Sequence, residues 1–521
     1  MRVVALFAFV ALLAGPATAQ DAVLPPDFDA TVARVLDAFD VPGAAVAVVH
    51  DGRTVLTRGY GTRVLGQDAP VDARTRFGIA SNSKAFTATA LGMLIEEGRL
   101  TWDTPVTDVL PAFALIDPYV TRELTVRDLL VHRSGLSLGA GDLLWWPATD
   151  LDRAETVRRL RHLPLATSFR SQYAYDNVLY MVAGEVIEAV SGMPWETFVQ
   201  TRILDRLGMA DTRASVGEGI AGPNVAKTYA PVDGVVVPVV PFDGENANPA
   251  AGITSTASDM ARWLTVQLDS GRVALPGVAP GRLFSPATTE ELWTPVTPIR
   301  VVPNPPELAA VQPQFRSYAL GFNVQDVRGV KIVTHTGGLP GYLSRVTLVP
   351  GLGLGIAVLT NSESGAAFNA ITQAVVDHAL GIAPTDWTAA YQAVDARAAS
   401  ETASTLAEIE AARAASGPSL PLAAYAGTYA DPWYGEIYIE QDATGLTIRF
   451  AHTPLLVGTL EPWQHDTFIA RWTDRTLRAD AFVTFALTPQ GTVREARMEP
   501  VSPATDFSFD FQDLVLTPSG R

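Results

Sequence analysis

The sequence predicts a mixed α/β (α+β) chain, in which one antiparallel sheet is flanked by helices and an all-helical subdomain and a small β-barrel follows at the C-terminal end. Three observations carry this. Strand-like runs lie near the start (43–60) and again far downstream (330–359), with a mostly helical stretch between them, so the two regions are expected to build one covered sheet. An Ala-rich, Glu- and Arg-dotted helical segment over 385–416 then breaks the pattern. Beyond it come short alternating segments separated by turn residues, the spacing of a small barrel. With 521 residues at 48% hydrophobic content, there is enough apolar material for one large core and a second, smaller one.

Taken in order, residues 1–19 stand apart: Arg2, an apolar run over 3–14 and the small-residue site Ala17-Thr18-Ala19 read as a secretory leader cleaved after Ala19. A periplasmic or secreted product is expected. A short amphipathic helix follows, carrying Phe28, Val32, Val35, Leu36 and Phe39. Residues 43–50 are a near-continuous apolar strand, hence buried on both faces, and Asp51-Gly52 turns it into a returning strand over 53–60. From Ser81 to Glu97, the run of Ala85, Phe86, Ala88, Leu91, Leu94 and Ile95 marks a buried helix stopped by Gly98. Strands are expected at 330–334, 343–349 and 354–359, then a helix at 366–380. In the barrel they are expected at 435–440, 446–450, 467–472, 481–487 and 493–498. The domains are therefore a leader (1–19), a main domain (20–383), a helical linker (384–418) and a barrel (419–521).

Composition removes several function classes. The formal charge of −17, with no basic run, argues against a nucleic-acid partner, since phosphate binding needs clustered cations. The absence of cysteine excludes disulfides, thiol catalysis, Cys-ligated metals and a lipid-anchored N-terminus. No segment after the leader is apolar for long enough to span a bilayer, so no membrane anchor is expected. The histidines show no H-x-x-x-H or H-E-x-x-H spacing, and neither metal nor cofactor is expected.

What remains is a serine. Ser81 and Lys84 form the single S-x-x-K of a chain whose other lysines are Lys227 and Lys331. Three residues is nearly one helical turn, so ammonium and hydroxyl share a face at a helix start, where free N–H groups favour a developing anion. Burial in an apolar face depresses a lysine pKa and makes a neutral amine base conceivable near pH 7. The bland reading is a solvated helix end with a serine cap.

Downstream lie Tyr175-Asp176-Asn177 and His335-Thr336-Gly337-Gly338. Alone, each is ordinary: a half-buried aromatic, a helix cap, a strand-end histidine. In this order after an S-x-x-K, the chain resembles the penicillin-recognising serine hydrolases, in particular the class C β-lactamase-like branch that also holds esterases, D-aminopeptidases and DD-peptidases. The likeness spans roughly 24–380 and includes stretches at 41–44, 125–136, 251–256 and 335–341. It implies a β-lactamase/transpeptidase-like fold, with Ser81 the acylated nucleophile, Lys84 its base or proton relay, and Tyr175 the group that activates the serine or passes a proton to the leaving group. It also implies that Asn177 hydrogen-bonds the lysine or the substrate and that His335, Thr336, Gly337 and Gly338 bind the substrate, with the N–H groups of Ser81 and Gly338 as the oxyanion hole.

One departure matters. β-Lactamases of this branch and penicillin-binding proteins carry lysine where this chain has His335, and an imidazole is mostly neutral at pH 7. Hydrolysis of a small amide, peptide or ester is therefore favoured over strong β-lactam turnover, with His335 as selector. A true β-lactamase or DD-carboxypeptidase, and an acyl-binding sensor without turnover, remain the alternatives. The barrel, through 425–429 and 458–463, resembles a lipocalin-like domain appended to some peptidases of this family and offers a surface for oligomerisation. Because every candidate catalytic group precedes residue 340, the barrel is expected to stand apart from the chemistry. His132 is read as structural. Gly135-Leu-Ser-Leu-Gly139 matches a G-x-S-x-G nucleophile elbow but lacks its strand-to-helix context and is read as a loop. The apolar 143–147 stretch and the Pro-rich 294–314 stretch either wall the cleft or pack onto the body of the domain.

Overall fold

The structure, a computed structural model, describes residues 23–519, and the leader predicted over 1–19 lies outside the described residues. Helix α1 (Phe28–Ala38) leads into the hairpin of β1 (Gly43–His50) and β2 (Arg53–Gly61). Asp51 and Gly52 both take positive φ, 48° and 73°. That turn conformation matches the twist of two paired strands. The helical middle contains α2 (Ser83–Glu96), α3 (Val178–Ser191) and α4 (Ala257–Leu268). The chain then returns to the sheet through β3 (Thr297–Pro298), β4 (Arg316–Tyr318), β5 (Asn323–Val327), β6 (Val330–Leu339), β7 (Tyr342–Val349) and β8 (Leu354–Thr360), before α5 (Gly365–Ala379). The strand order is β2-β1-β8-β7-β6-β5-β4-β3 and every pair is antiparallel. Ala44 pairs with Thr360 and His50 with Leu354, so the early hairpin is zipped to the last strand.

The unbroken apolar run of β1 follows from this layering. Ala44, Val46 and Val48 enter a core with Val32 and Val35 of α1 and Ile371 of α5, while Ala45, Ala47 and Val49 enter another with Phe86 of α2 and Leu264 of α4. Successive strand side chains point to opposite faces, and both faces are covered. Phe86 and Trp263 stack with ring centroids 3.8 Å apart, fixing α2 to α4.

Two features differ from the sequence reading. Strand β6 runs to Leu339 rather than ending at 334, because its pairing with β7 continues through Thr336↔Arg345 and Gly338↔Leu343. The His-Thr-Gly-Gly stretch is thus part of the sheet. The Pro-rich stretch also contributes β3 to the sheet and a 3-10 turn at Pro306–Val311.

After α6 (Trp387–Ala411), a second antiparallel sheet forms from β9 (Gly427–Asp431), β10 (Gly435–Gln441), β11 (Leu446–Phe450), β12 (Val457–Gln464), β13 (Thr467–Trp472), β14 (Ala481–Leu487), β15 (Val493–Pro500) and β16 (Thr517–Ser519). Its order is β15-β14-β13-β12-β11-β10-β9-β16, and an Ala496↔Leu516 bridge nearly closes it into a barrel around Tyr429, Ile448, Phe468 and Val483. The barrel is docked on the main domain: Arg159 donates to the Tyr434 carbonyl, Asp150 meets the His452 ring at 2.8 Å, and Arg478 pairs with Glu363. Among the described residues, no helix is long and apolar enough to cross a membrane.

Candidate active site

Ser81 sits in a one-turn 3-10 helix, Ala80–Asn82, directly ahead of α2. Ala80 is held at φ 49°, a left-handed conformation that costs a side-chain-bearing residue energy and persists only when its surroundings enforce it. The enforcement is visible on either side of Ala80. The Ile79 N–H donates to the Ile253 carbonyl, Ser344 Oγ donates to the Ile79 carbonyl, and Asn82 Nδ2 donates to Ser344 Oγ. A Cβ on Gly337 would lie 2.2 Å from the Ile79 oxygen and 2.9 Å from the Ser81 nitrogen, so glycine there lets β6 close on the serine turn.

Lys84 is completely buried. Its Nζ lies 3.1 Å from Ser81 Oγ, 2.7 Å from Asn177 Oδ1 and 3.0 Å from the Ala250 carbonyl. The Tyr175 and Tyr180 ring centroids lie 4.9 and 5.2 Å away. Loss of solvation pulls the Lys84 pKa from 10.5 down to about 7, against the pull of the Asp142 and Asp176 carboxylates. The geometry also directs the lone pair. A neutral amine has two N–H groups, and the Asn177 and Ala250 oxygens can only accept them, which leaves the lone pair for Ser81.

Asp142 completes the arrangement and was not foreseen. Its Oδ2 accepts from Asn177 Nδ2 and from Ser508 Oγ, both at 2.8 Å, and its Oδ1 accepts from Trp145 Nε1 at 2.8 Å. Burial raises its pKa to about 7 even though these donors favour the ionised form. By drawing the amide N–H of Asn177, Asp142 turns the amide oxygen toward Lys84. Nothing in the Gly139-Ala-Gly-Asp142 stretch distinguishes this aspartate in sequence, since two of its three partners lie 35 and 366 residues away.

Burial pushes the Tyr175 hydroxyl pKa well above 10, with the nearby Ser81 side chain pulling it the other way. It is therefore a neutral phenol, a donor rather than a phenolate base. His132 lies beneath it, ring centroids 4.2 Å apart, with its Nδ1 accepting from the Asp176 N–H at 3.2 Å and its pKa lowered by burial. His335 is only 3% exposed, with Nε2 2.8 Å from the Tyr318 hydroxyl and Nδ1 2.6 Å from the Thr336 carbonyl. Burial drops its pKa to about 3. This corrects the selector role expected from sequence: the imidazole is neutral, but both nitrogens are engaged inside the protein and neither is offered to a ligand. Thr336 and Gly338 lie on the exposed side of β6, and Gly338 lines a cavity of about 130 Å³ with Trp146, Phe242, Leu339, Leu477 and Phe509. Trp146 and Pro147 of the 143–147 stretch are in the lining of this cavity. Among the described residues, no three His, Asp or Glu side chains converge in a way that could hold a metal ion.

The barrel does not stand apart from this site. Its 507–513 segment lies against the 135–142 loop: Gly141 N–H donates to Asp510 Oδ2 and Ser137 Oγ to Asp513 Oδ2, both at 2.6 Å, and Phe507 meets the Tyr175 ring edge-on at 6.0 Å. The G-x-S-x-G look-alike is this seat, a loop whose serine is tied to the barrel.

Fold and site together define a β-lactamase-fold serine hydrolase, and the chain belongs to the beta-lactamase family, whose model matches residues 28–380. A domain of unknown function matches 411–518. Among relatives, an unguisins hydrolase from Aspergillus violaceofuscus is 31% identical over 509 residues, covering 90% of this chain and 87% of its own. A D-aminopeptidase from Cereibacter sphaeroides is 27% identical over 461 residues, covering 82% and 72%. A penicillin-binding protein homologue from Pyrococcus abyssi shares the fold, with TM-score 0.59 at 20% identity over 91% of this chain and 97% of that one.

Proposed function

We propose that the protein hydrolyses a small amide, peptide or ester through an acyl-enzyme on Ser81. The observation that carries this is the Lys84 amine, buried, partnered on two sides by acceptors and directed at Ser81 Oγ. In the acylation step, Ser81 Oγ bonds to the scissile carbonyl carbon while its proton passes to Lys84 Nζ. The oxyanion is received by the Ser81 and Gly338 N–H groups. As the tetrahedral centre collapses, the leaving nitrogen or oxygen takes a proton from Tyr175, which is replenished from the Lys84 ammonium. Water then attacks the ester and returns Ser81.

The cavity beside Gly338 supports a substrate carrying one apolar side chain next to the reacting bond. A cavity of about 150 Å³ takes benzene, and this one, at about 130 Å³, has room for a single ring or branched aliphatic group against Trp146, Phe242 and Phe509, with Glu363, Asp474, Arg478 and Asp506 also in its lining. The D-aminopeptidase relative favours amide over ester. Export is part of the proposal and rests on the 1–19 leader; a mature chain that does not begin near Gln20 would refute it. Intact-protein mass spectrometry with p-nitrophenyl esters, D- and L-aminoacyl amides and penicillin tests the rest. A transient adduct on Ser81 with product release is expected from an amide or ester, and slow turnover from penicillin. An adduct that never releases would favour a sensor, and no adduct with any of them would refute the reading.

A further inference from the structure

The Asp142 carboxylate is buried, forms no bond with a substrate-facing atom, and takes one of its three hydrogen bonds from a different domain. Ser508, 5% exposed, comes from the barrel, and its Oγ reaches Asp142 Oδ2 at 2.8 Å, on the same oxygen that accepts Asn177 Nδ2. From there the chain of contacts runs through Asn177 Oδ1 to Lys84 Nζ and on to Ser81 Oγ. We propose that Ser508 is a positioning residue of the active site: its hydroxyl holds Asp142 as an acceptor, Asp142 orients the Asn177 amide, and that amide aims Lys84 at Ser81. The role rests on the reading of Ser81 and Lys84 as nucleophile and base.

The direction of the effect follows from the hydrogen bonds. A donor to a carboxylate favours its ionised form, so removing the Ser508 hydroxyl makes Asp142 easier to protonate. A protonated Asp142 gives Asn177 less reason to present its oxygen to Lys84 and withdraws negative charge from the ammonium. Lys84 then loses its proton at lower pH. The other groups facing this pair are Tyr175, Asp176 and Tyr180 from the α3 region, His132 from the loop before 142, His335 from β6, and Asp510 from the barrel. The Ser508 hydroxyl is bonded to Asp142 and to none of these groups. Asp510, fixed on the Gly141 N–H, keeps the segment seated in the variants.

The scarcity of lysine provides a readout that does not depend on turnover. Only Lys84, Lys227 and Lys331 are present, so full-length protein labelled with ¹³C at lysine Cε gives three signals, and Lys84 is assigned by its absence in Lys84→Arg. The Lys84 titration midpoint is read in wild type, Ser508→Ala and Ser508→Thr. Ser508→Ala is expected to lower the midpoint by at least about half a pH unit, a threefold change in proton affinity. Ser508→Thr, which keeps the hydroxyl, is expected to restore it. Should the alanine variant fail to fold, Ser508→Cys, a weak donor of similar size, is read in its place. In parallel, acylation of Ser81 by p-nitrophenyl acetate should slow about tenfold in Ser508→Ala with KM nearly unchanged, and the effect should vanish on an Asp142→Asn background. An unchanged Lys84 midpoint in Ser508→Ala, or an equal fall in the threonine variant, overturns the proposal. Failure of the hydrolase reading shows separately, as absence of any Ser81 adduct in wild type.

Discussion

Lys84 is at the centre of the proposed chemistry, and its environment is unusual enough to be tested residue by residue. In the proposed mechanism nucleophile and base act as a unit, so Ser81→Ala and Lys84→Ala should each leave below about 1% of acylation, and the double variant should be no worse. Ester turnover by the three proteins checks this. Because burial brings Lys84 to about 7, the acylation rate should rise with pH through that region as the amine sheds its proton. Asp176 gives a second pH signature, in stability. It is fully buried, receives one hydrogen bond from Ser134, and its carboxyl is pushed from 3.8 up to about 7. Below about 4 both folded and unfolded chains hold its proton, and between 4 and 7 only the folded chain does. The stability it contributes is present at low pH and is lost as pH rises to 7, at about 1.4 kcal/mol per unit at most. Denaturant unfolding of wild type and Asp176→Asn across that range should show wild type losing stability relative to the variant with this slope as pH rises; parallel curves would refute it.

At the scale of elements, α2 matters because it carries Ser81 and Lys84 at its start and is held by packing rather than by a polar cap. Phe86 and Trp263 are essentially unexposed and stacked, so Phe86→Ala should cost roughly 3–5 kcal/mol and Phe86→Leu clearly less, measured by denaturant unfolding. These elements were legible in sequence for a physical reason. The residues of β1 and α2 face cores on almost every side, so apolar content alone marks them, and Gly98 with φ 71° ends the helix as read. The elements that escaped include short or proline-interrupted strands, which their local sequence marks poorly. Strand β3 has two residues, one of them proline, at the sheet edge. Strand β12 contains Pro462 at a register shift, and β16 is the short closing strand of the barrel. The site divided along the same line. Ser81, Lys84, Tyr175 and Asn177 are recognisable as short patterns, whereas Asp142, Tyr318 and Ser508 are single polar residues whose meaning comes only from where the fold brings them. His335 stood out in sequence, yet Tyr318 and the Thr336 carbonyl occupy its nitrogens.

Across the whole molecule, the barrel and the main domain share one apolar core and meet at the active site, so a change in the seat between them should reach the chemistry. Gly139 lies at that seat with φ 72°, and a Cβ there would come within 2.7 Å of the Phe507 carbonyl oxygen. Gly52, in the β1–β2 turn, has nearly the same φ, 73°, but a Cβ there meets nothing within 4 Å. Replacing either by alanine incurs the same left-handed strain of roughly 1–2 kcal/mol. Only Gly139→Ala also pushes the 507–513 segment away from Tyr175 and Asp142. Gly52→Ala should therefore lower the melting temperature and leave acylation untouched. Gly139→Ala should lower it further, speed amide hydrogen exchange in 507–513, and slow acylation of Ser81 about tenfold, with the loss non-additive with Ser508→Ala. Equal acylation rates in the two variants would mean that the barrel merely packs against the hydrolase domain.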